Sequence, residues 1–177
     1  MYRTIAALVL ASASANSATS TLLPNSPWWE RITVTISGDG QPEGCRFESS
    51  LKPNAAQKCD VDADNQAAVA SSTHSSGSKD QYTRITFERR FTPGIQPRTE
   101  LQAGETLLGG QVMALAIDGR GEVKNCKVVA ETGSMRPEYS CDDLSAERFE
   151  ASAGAHPATT REAYMSIIVY GHQEHVV

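Results

Sequence analysis

Long apolar runs and an excess of basic charge are both missing from this sequence. No segment approaches the roughly 20 apolar residues that cross a bilayer as a helix. The 16 lysines and arginines are outnumbered by 21 aspartates and glutamates, for a net charge of -5. Without a long apolar segment we expect no membrane span. Because phosphate binding needs a concentrated basic face, we also expect no nucleic-acid partner. The hydrophobic content of 40% is ordinary for a folded globular protein.

Motifs for catalysis and for metal binding are missing as well. No cysteine lies in a Cys-x-x-Cys pair, and no serine lies in a Gly-x-Ser-x-Gly elbow, which argues against a zinc site and a hydrolase triad. Asp60, Asp62 and Asp64 have the spacing of a calcium loop. Asn65 and Ser71, however, replace the glycine and the bidentate glutamate that such a loop requires. We therefore expect no enzyme activity, no cofactor and no metal.

The N-terminus has the pattern of a secretory signal. Arg3 precedes a short apolar run at 5–10, and a tract of small residues then offers Ala-x-Ala cleavage positions ending at Ala13 or Ala15, and a third ending at Ala18. The pattern predicts a signal peptide over residues 1–18. The mature protein is expected in the periplasm or secreted.

An internal repeat organises the rest of the chain. The stretch 32–47 recurs as 113–128, which lies 81 residues further on. Each copy has alternating apolar residues, a Gly-x-Gly turn and then a cysteine, Cys45 or Cys126. Further matches follow at an offset of 82: Cys59 with Cys141, Tyr82 with Tyr164, and Ile85 with Ile167. Their common order indicates a duplication, with copies at 28–92 and 107–177 and a linker at 93–106.

Each copy is predicted to be a small α+β module. The alternation at 32–36 and at 113–117 has the strand period of two, and the glycine-rich turn then closes a β-hairpin. Segments rich in alanine and acidic residues predict a helix at 54–70 and another at 137–151. Third strands are predicted at 82–87 and 164–170. The expected fold class is therefore α+β, with two tandem modules that each contain a hairpin, a helix and a third strand.

The four cysteines are predicted to form two disulfides, which agrees with export. Four cysteines allow three connectivities. The repeat selects one of them, because duplicated modules should carry duplicated cross-links. This choice pairs Cys45 with Cys59, and Cys126 with Cys141. Each bridge would stabilise its module by roughly 3 kcal/mol in the chain-entropy model.

The second copy resembles the C-terminal domain of TonB. The resemblance is carried by 113–133, by Glu147-Arg-Phe-Glu-Ala151 and by the terminal strand at 164–170; the first copy is similar mainly over 32–47 and 82–87. It implies a tandem duplicate of a periplasmic protein-binding module. In that family the last strand adds a short segment of an outer-membrane receptor to the sheet edge.

The terminal strand is the predicted docking site. Its alternation puts Met165, Ile167 and Val169 on the face towards the helix. The other face carries Tyr164, Ser166, Ile168 and Tyr170, which either lie against copy one or flank an open edge that accepts a partner. Two other functions remain open: a self-associating structural protein of the envelope, and a TonB-type energy transducer of outer-membrane transport.

Export can be tested directly on the protein from its native host. We expect N-terminal sequencing of the recovered protein to begin after Ala15 or Ala18. Recovery of a cytosolic protein that still starts at Met1 would contradict the signal peptide.

Overall fold

One antiparallel sheet dominates the computed structural model, which describes residues 22–37, 41–52, 57–58, 83–135 and 139–172. Its strands run in the order β3-β2-β1-β4-β7-β5-β6, and every neighbouring pair is antiparallel. The strands are β1 (Trp28–Ile36), β2 (Pro42–Ser49), β3 (Gln57–Lys58), β4 (Arg84–Pro93), β5 (Glu105–Ile117), β6 (Val123–Gly133) and β7 (Arg161–His172). Between β6 and β7 lies α1 (Cys141–Ala146), the one helix in these ranges.

The two predicted hairpins have the same register. Val34 pairs with Cys45 in β1–β2, and Leu115 pairs with Cys126 in β5–β6, so both pairs are related by the offset of 81. A bulge interrupts each hairpin at the corresponding point, just before Ile36 or Ile117. This repeated irregularity supports the duplication, because a bulge is a specific local feature of a strand pair.

The third strands do not follow the predicted offset of 82. Ile32 of β1 pairs with Phe87 of β4, whereas the matching Met113 of β5 pairs with Met165 of β7. The offset of 82 predicts instead that Phe87 corresponds to Val169, which lies four residues after Met165. Four is an even number, so the same side chains still point to the core and the sheet tolerates the shift.

The two copies join through their third strands. β4 pairs with β7 over ten residue pairs, from Arg84 with His172 to Pro93 with Ala163. Arg89 lies opposite Ile167 near the middle of this junction. The copies therefore form one continuous sheet.

The core lies on one face of the sheet and draws residues from both copies. The main cluster packs Trp28 and Phe91 of copy one with Met113, Met165 and other residues of copy two. A second cluster has the following members: Val34, Ile36, Ile85, Phe87 and Val169. Trp28, the first residue of β1, is thus a core residue. The inward-facing set of the terminal strand was also predicted correctly, since Met165, Ile167 and Val169 are all buried.

The predicted α+β fold class is wrong, because the described residues are essentially all β. The helix predicted at 137–151 shrinks to six residues, although its Leu144 is buried in the core as a helix covering the sheet requires. Glu147 leaves the helix in an extended conformation (φ -75°, ψ 155°). The backbone of Arg148 then bonds to Leu23, and that of Phe149 to Gly121. These tertiary contacts override the helix propensity of the alanine and acidic residues.

In copy one the helix prediction falls largely outside the described residues. Within 54–70 the structure describes only Gln57–Lys58, which forms β3 against β2 and is not helical. The predicted signal peptide and Cys59 also lie outside the described ranges. The Cys45–Cys59 bridge therefore stays a prediction, whereas the Cys126–Cys141 bridge is confirmed with a Cα–Cα distance of 5.5 Å.

Candidate functional site

A charged cluster on the core face links the two copies. Arg89 of β4 donates from Nη2 to Glu30 of β1 at 2.7 Å, and from Nη1 to Glu147, which follows α1. Nη1 also donates to the Tyr139 hydroxyl at 2.9 Å, and that hydroxyl donates to Glu147 at 2.5 Å. Copy one therefore supplies Arg89 and Glu30, and copy two supplies Tyr139 and Glu147. We call these four residues the Arg89 cluster.

Electrostatics keep this cluster charged. Burial by itself lowers the pKa of Arg89, but the negative charges of Glu147 and Glu30 outweigh it and the net pKa lies above the ordinary value. Burial raises the pKa of the Tyr139 hydroxyl, so the phenol stays protonated and can donate to Glu147. The guanidinium also lies over the Trp28 ring at 5.0 Å, which adds a cation–π contact. Because the raised pKa keeps the Tyr139 hydroxyl protonated, the cluster has the character of a structural ion pair.

The short helix α1 positions the two copy-two members of the cluster. Ser140 caps the helix: its side chain accepts from the backbone of Asp142 and Asp143, and Asp143 accepts from the Ser140 backbone at 2.7 Å. Tyr139 precedes this cap and Glu147 follows the last helical turn. The disulfide from Cys141 fixes the start of the helix to β6.

The four predicted partner-binding residues lie on a central strand. β7 pairs with β4 on one side and with β5 on the other, so its backbone has no open edge in this sheet. Ser166, Ile168 and Tyr170 are buried, and Tyr164 bonds to Glu162. Strand addition at β7 is therefore not available. A contact between these four side chains and a partner stays a prediction.

The crossover between the copies covers this face of β7. It follows β4 and precedes β5, and it includes Gly94 and Gly104, whose φ angles of 72° and 84° favour glycine. A cavity of about 70 Å³ lies between this crossover and the sheet, and Ser166, Ile168 and Tyr170 line it. Burial, together with the nearby Glu88, raises the pKa of Tyr170 to about 12. Ser166, Ile168 and Tyr170 thus lie beside the predicted linker between the copies, whereas the sequence analysis expected this face either against copy one or beside an open edge.

Acidic and basic side chains line the cavity in equal number. Glu88 accepts from Arg90 Nη2 at 2.7 Å and faces Arg31 Nη2 at 3.6 Å. Both arginines line the cavity together with Arg98, and Glu88, Glu100 and Glu105 line it as well. These charges compensate one another, which gives the cavity no preference for one sign of ligand.

The outer strand β6 is the most open backbone in the described sheet. It ends the strand order, and none of its eleven residues is buried. Val128 and Val129 are large apolar side chains with exposed fractions of 39% and 43%. A long edge strand with exposed apolar residues can accept a further strand. Sequence reasoning missed this edge because it expected the free edge at the last strand.

Two irregularities limit what can pair with β6. Lys124 and Val129 have no Cα partner on β5 in the strand register, so each marks a bulge. Bulges and lysines are common protections of edge strands against unspecific pairing. Between the bulges, residues 125–128 keep a regular register against β5. A partner strand would therefore pair most regularly with residues 125–128.

Within the described ranges no group of histidine, cysteine, aspartate or glutamate side chains is arranged to hold a metal ion. Asp60, Asp62 and Asp64 lie outside those ranges. The same ranges contain no helix of sufficient length and hydropathy to cross a membrane.

Comparisons with known proteins give no match to any family model, any curated protein or any solved structure. The similarity to the TonB C-terminal domain therefore rests on the residues of the sequence alone and stays a prediction.

The Arg89 cluster predicts a large difference between two arginine substitutions. Arg89→Met would leave the partly buried carboxylates of Glu30 and Glu147 without their cation, and we expect the free energy of unfolding to fall by about 2–3 kcal/mol. Arg46→Met is the matched control, because Arg46 pairs with Glu48 but is 63% exposed, and a loss within about 0.5 kcal/mol is expected. Urea denaturation measures both. Equal losses in the two variants would show that Glu30 and Glu147 do not depend on Arg89 as their cation.

Proposed function

We propose that this chain is a protein-binding domain of the bacterial cell envelope that receives an extended segment of a partner as an additional strand on β6. The supporting observation is the β6 edge: eleven residues, none buried, with exposed apolar side chains in the middle. Backbone hydrogen bonds along such an edge supply affinity, and alternate side chains supply selectivity. The signal pattern and the Cys126–Cys141 disulfide favour an envelope location.

The same mode of binding would use a different strand from the one the TonB resemblance implies. In that family the third strand of the module accepts the partner. Here the third strands β4 and β7 pair with each other. The opposite edge of the sheet is less open than β6, because β3 pairs with β2 at Arg46 and Phe47. β6 is therefore the edge on which we place the partner.

The two alternative functions predict that the chain captures different partners. A self-associating envelope protein would capture only further copies of itself, whereas the proposed domain captures a different protein. An energy transducer would capture an outer-membrane receptor and would change its transport. No described feature favours either alternative over a simple binding domain.

Capture from an envelope extract with the mature chain tests the proposal. We expect a partner to be retained by the wild type and lost with Val129→Lys, because the change removes an exposed apolar side chain and adds a further charge to the edge. Leu51→Lys is the matched control, since Leu51 has a similar exposure of 37% but lies beyond β2, and it should retain the partner.

Hydrogen exchange on the captured complex locates the partner. We expect slower exchange of the backbone amides of 123–133 in the complex than in the free protein. Retention by Val129→Lys, or protection confined to other strands, would contradict binding at β6.

A further inference from the structure

Lys127 lies at the centre of β6 and has no ionic partner among the residues that the structure describes. Among the described residues, the salt bridges on this side of the sheet use Lys124, which contacts Asp118 at 3.3 Å and also bonds to Glu122. None of the described ion pairs or hydrogen bonds includes Lys127. The two lysines of β6 therefore differ: Lys124 stabilises the preceding turn, and Lys127 has no such task.

The strand register fixes the face on which Lys127 lies. Cys126 pairs with Leu115 and Val128 pairs with Met113, so these two residues of β6 are on the core face. Lys127 pairs with Ala114 and lies on the opposite face. Its neighbours there are small and uncharged: Ala114, Ala116 and Asn125. The ammonium group is consequently the dominant charge on this part of the edge.

We infer that the partner segment is acidic, with a carboxylate opposite Lys127 and apolar side chains over Val128. This inference rests on the proposed function and names the chemistry of the partner. A residue directly opposite another on a neighbouring antiparallel strand projects from the same face, and opposite charges in such a pair are favourable. Alternation then puts the adjacent residues of the partner on the core face, where Val128 is 39% exposed.

The net charge of -5 does not oppose this pairing at short range. At physiological ionic strength, charges more than about 8 Å apart at a surface are largely screened. A carboxylate opposite Lys127 would be closer than that to the ammonium group. Glu162 is on the same face but two strands away, on β7, where it accepts a hydrogen bond from the Tyr164 hydroxyl. The local charge therefore decides which segment is preferred.

Two labelled peptides test the inference with the mature chain. The first has eight residues that alternate valine and threonine, with aspartate in place of one central threonine. The second has lysine at that position. Fluorescence anisotropy should show about fivefold tighter binding of the aspartate peptide, which corresponds to one favourable cross-strand pair. Lys127→Glu should reverse the order of the two peptides.

A control variant separates the local effect from the total charge. Lys52→Glu changes the net charge by the same amount but lies beyond β2, so the aspartate peptide should remain the tighter ligand. Three results would overturn the inference: equal binding of the peptides, binding of neither, or an unchanged order in Lys127→Glu. Aggregation of Lys127→Ala together with absent peptide binding would assign Lys127 to protection of the edge.

The capture assay tests the proposed function separately from the preference for an acidic partner. If Val129→Lys loses the partner but Lys127→Glu retains it fully, β6 is the binding edge and the acidic preference is wrong. If Val129→Lys also retains the partner, the proposed function itself is wrong.

Discussion

The antiparallel pairing of β4 with β7 is the interaction on which the rest of the structure depends. It joins the third strands of the two repeat copies and makes them central strands of one sheet. Because both strands become interior, their core faces can be buried along their length, as Ile85, Phe91, Met165 and Val169 show. The edges left for other strands are then the outer strands of the two hairpins. The fold thus determines where a partner strand can bind.

The Arg89 cluster adds specificity to this junction. A hydrophobic pair at the Arg89–Ile167 position would allow the two strands to slide by two residues without exposing apolar side chains. Arg89 prevents this, because its guanidinium must reach Glu30 on one side and Glu147 on the other. A buried ion pair contributes little net stability, since the cost of removing its charges from water offsets the attraction. A shifted register of β4 against β7 would separate Arg89 from Glu147 and break this contact between the copies.

The sequence predicted the features that depend on local pattern. The alternation of β1 and β5, the glycine-rich turn at 118–121 and the pairing of Cys126 with Cys141 all follow from residues close together in the repeat. It failed where tertiary contacts decide. In the extended segment after the short helix, the tilted ring of Phe149 packs against Phe91 with the centroids 4.9 Å apart, and no local pattern announces that contact. The pairing of β4 with β7, and with it the open edge at β6, likewise required the structure.

Native-state hydrogen exchange in low concentrations of urea tests the central claim, namely that the two halves form one cooperative sheet. The slowest amides of β1 and β4 should exchange with the same free energy as those of β5 and β7, because all four strands open together. If the amides of β1 and β4 instead exchange through a separate opening of lower free energy, while β5 and β7 remain protected, the halves are independent modules and the junction is not the organising interaction.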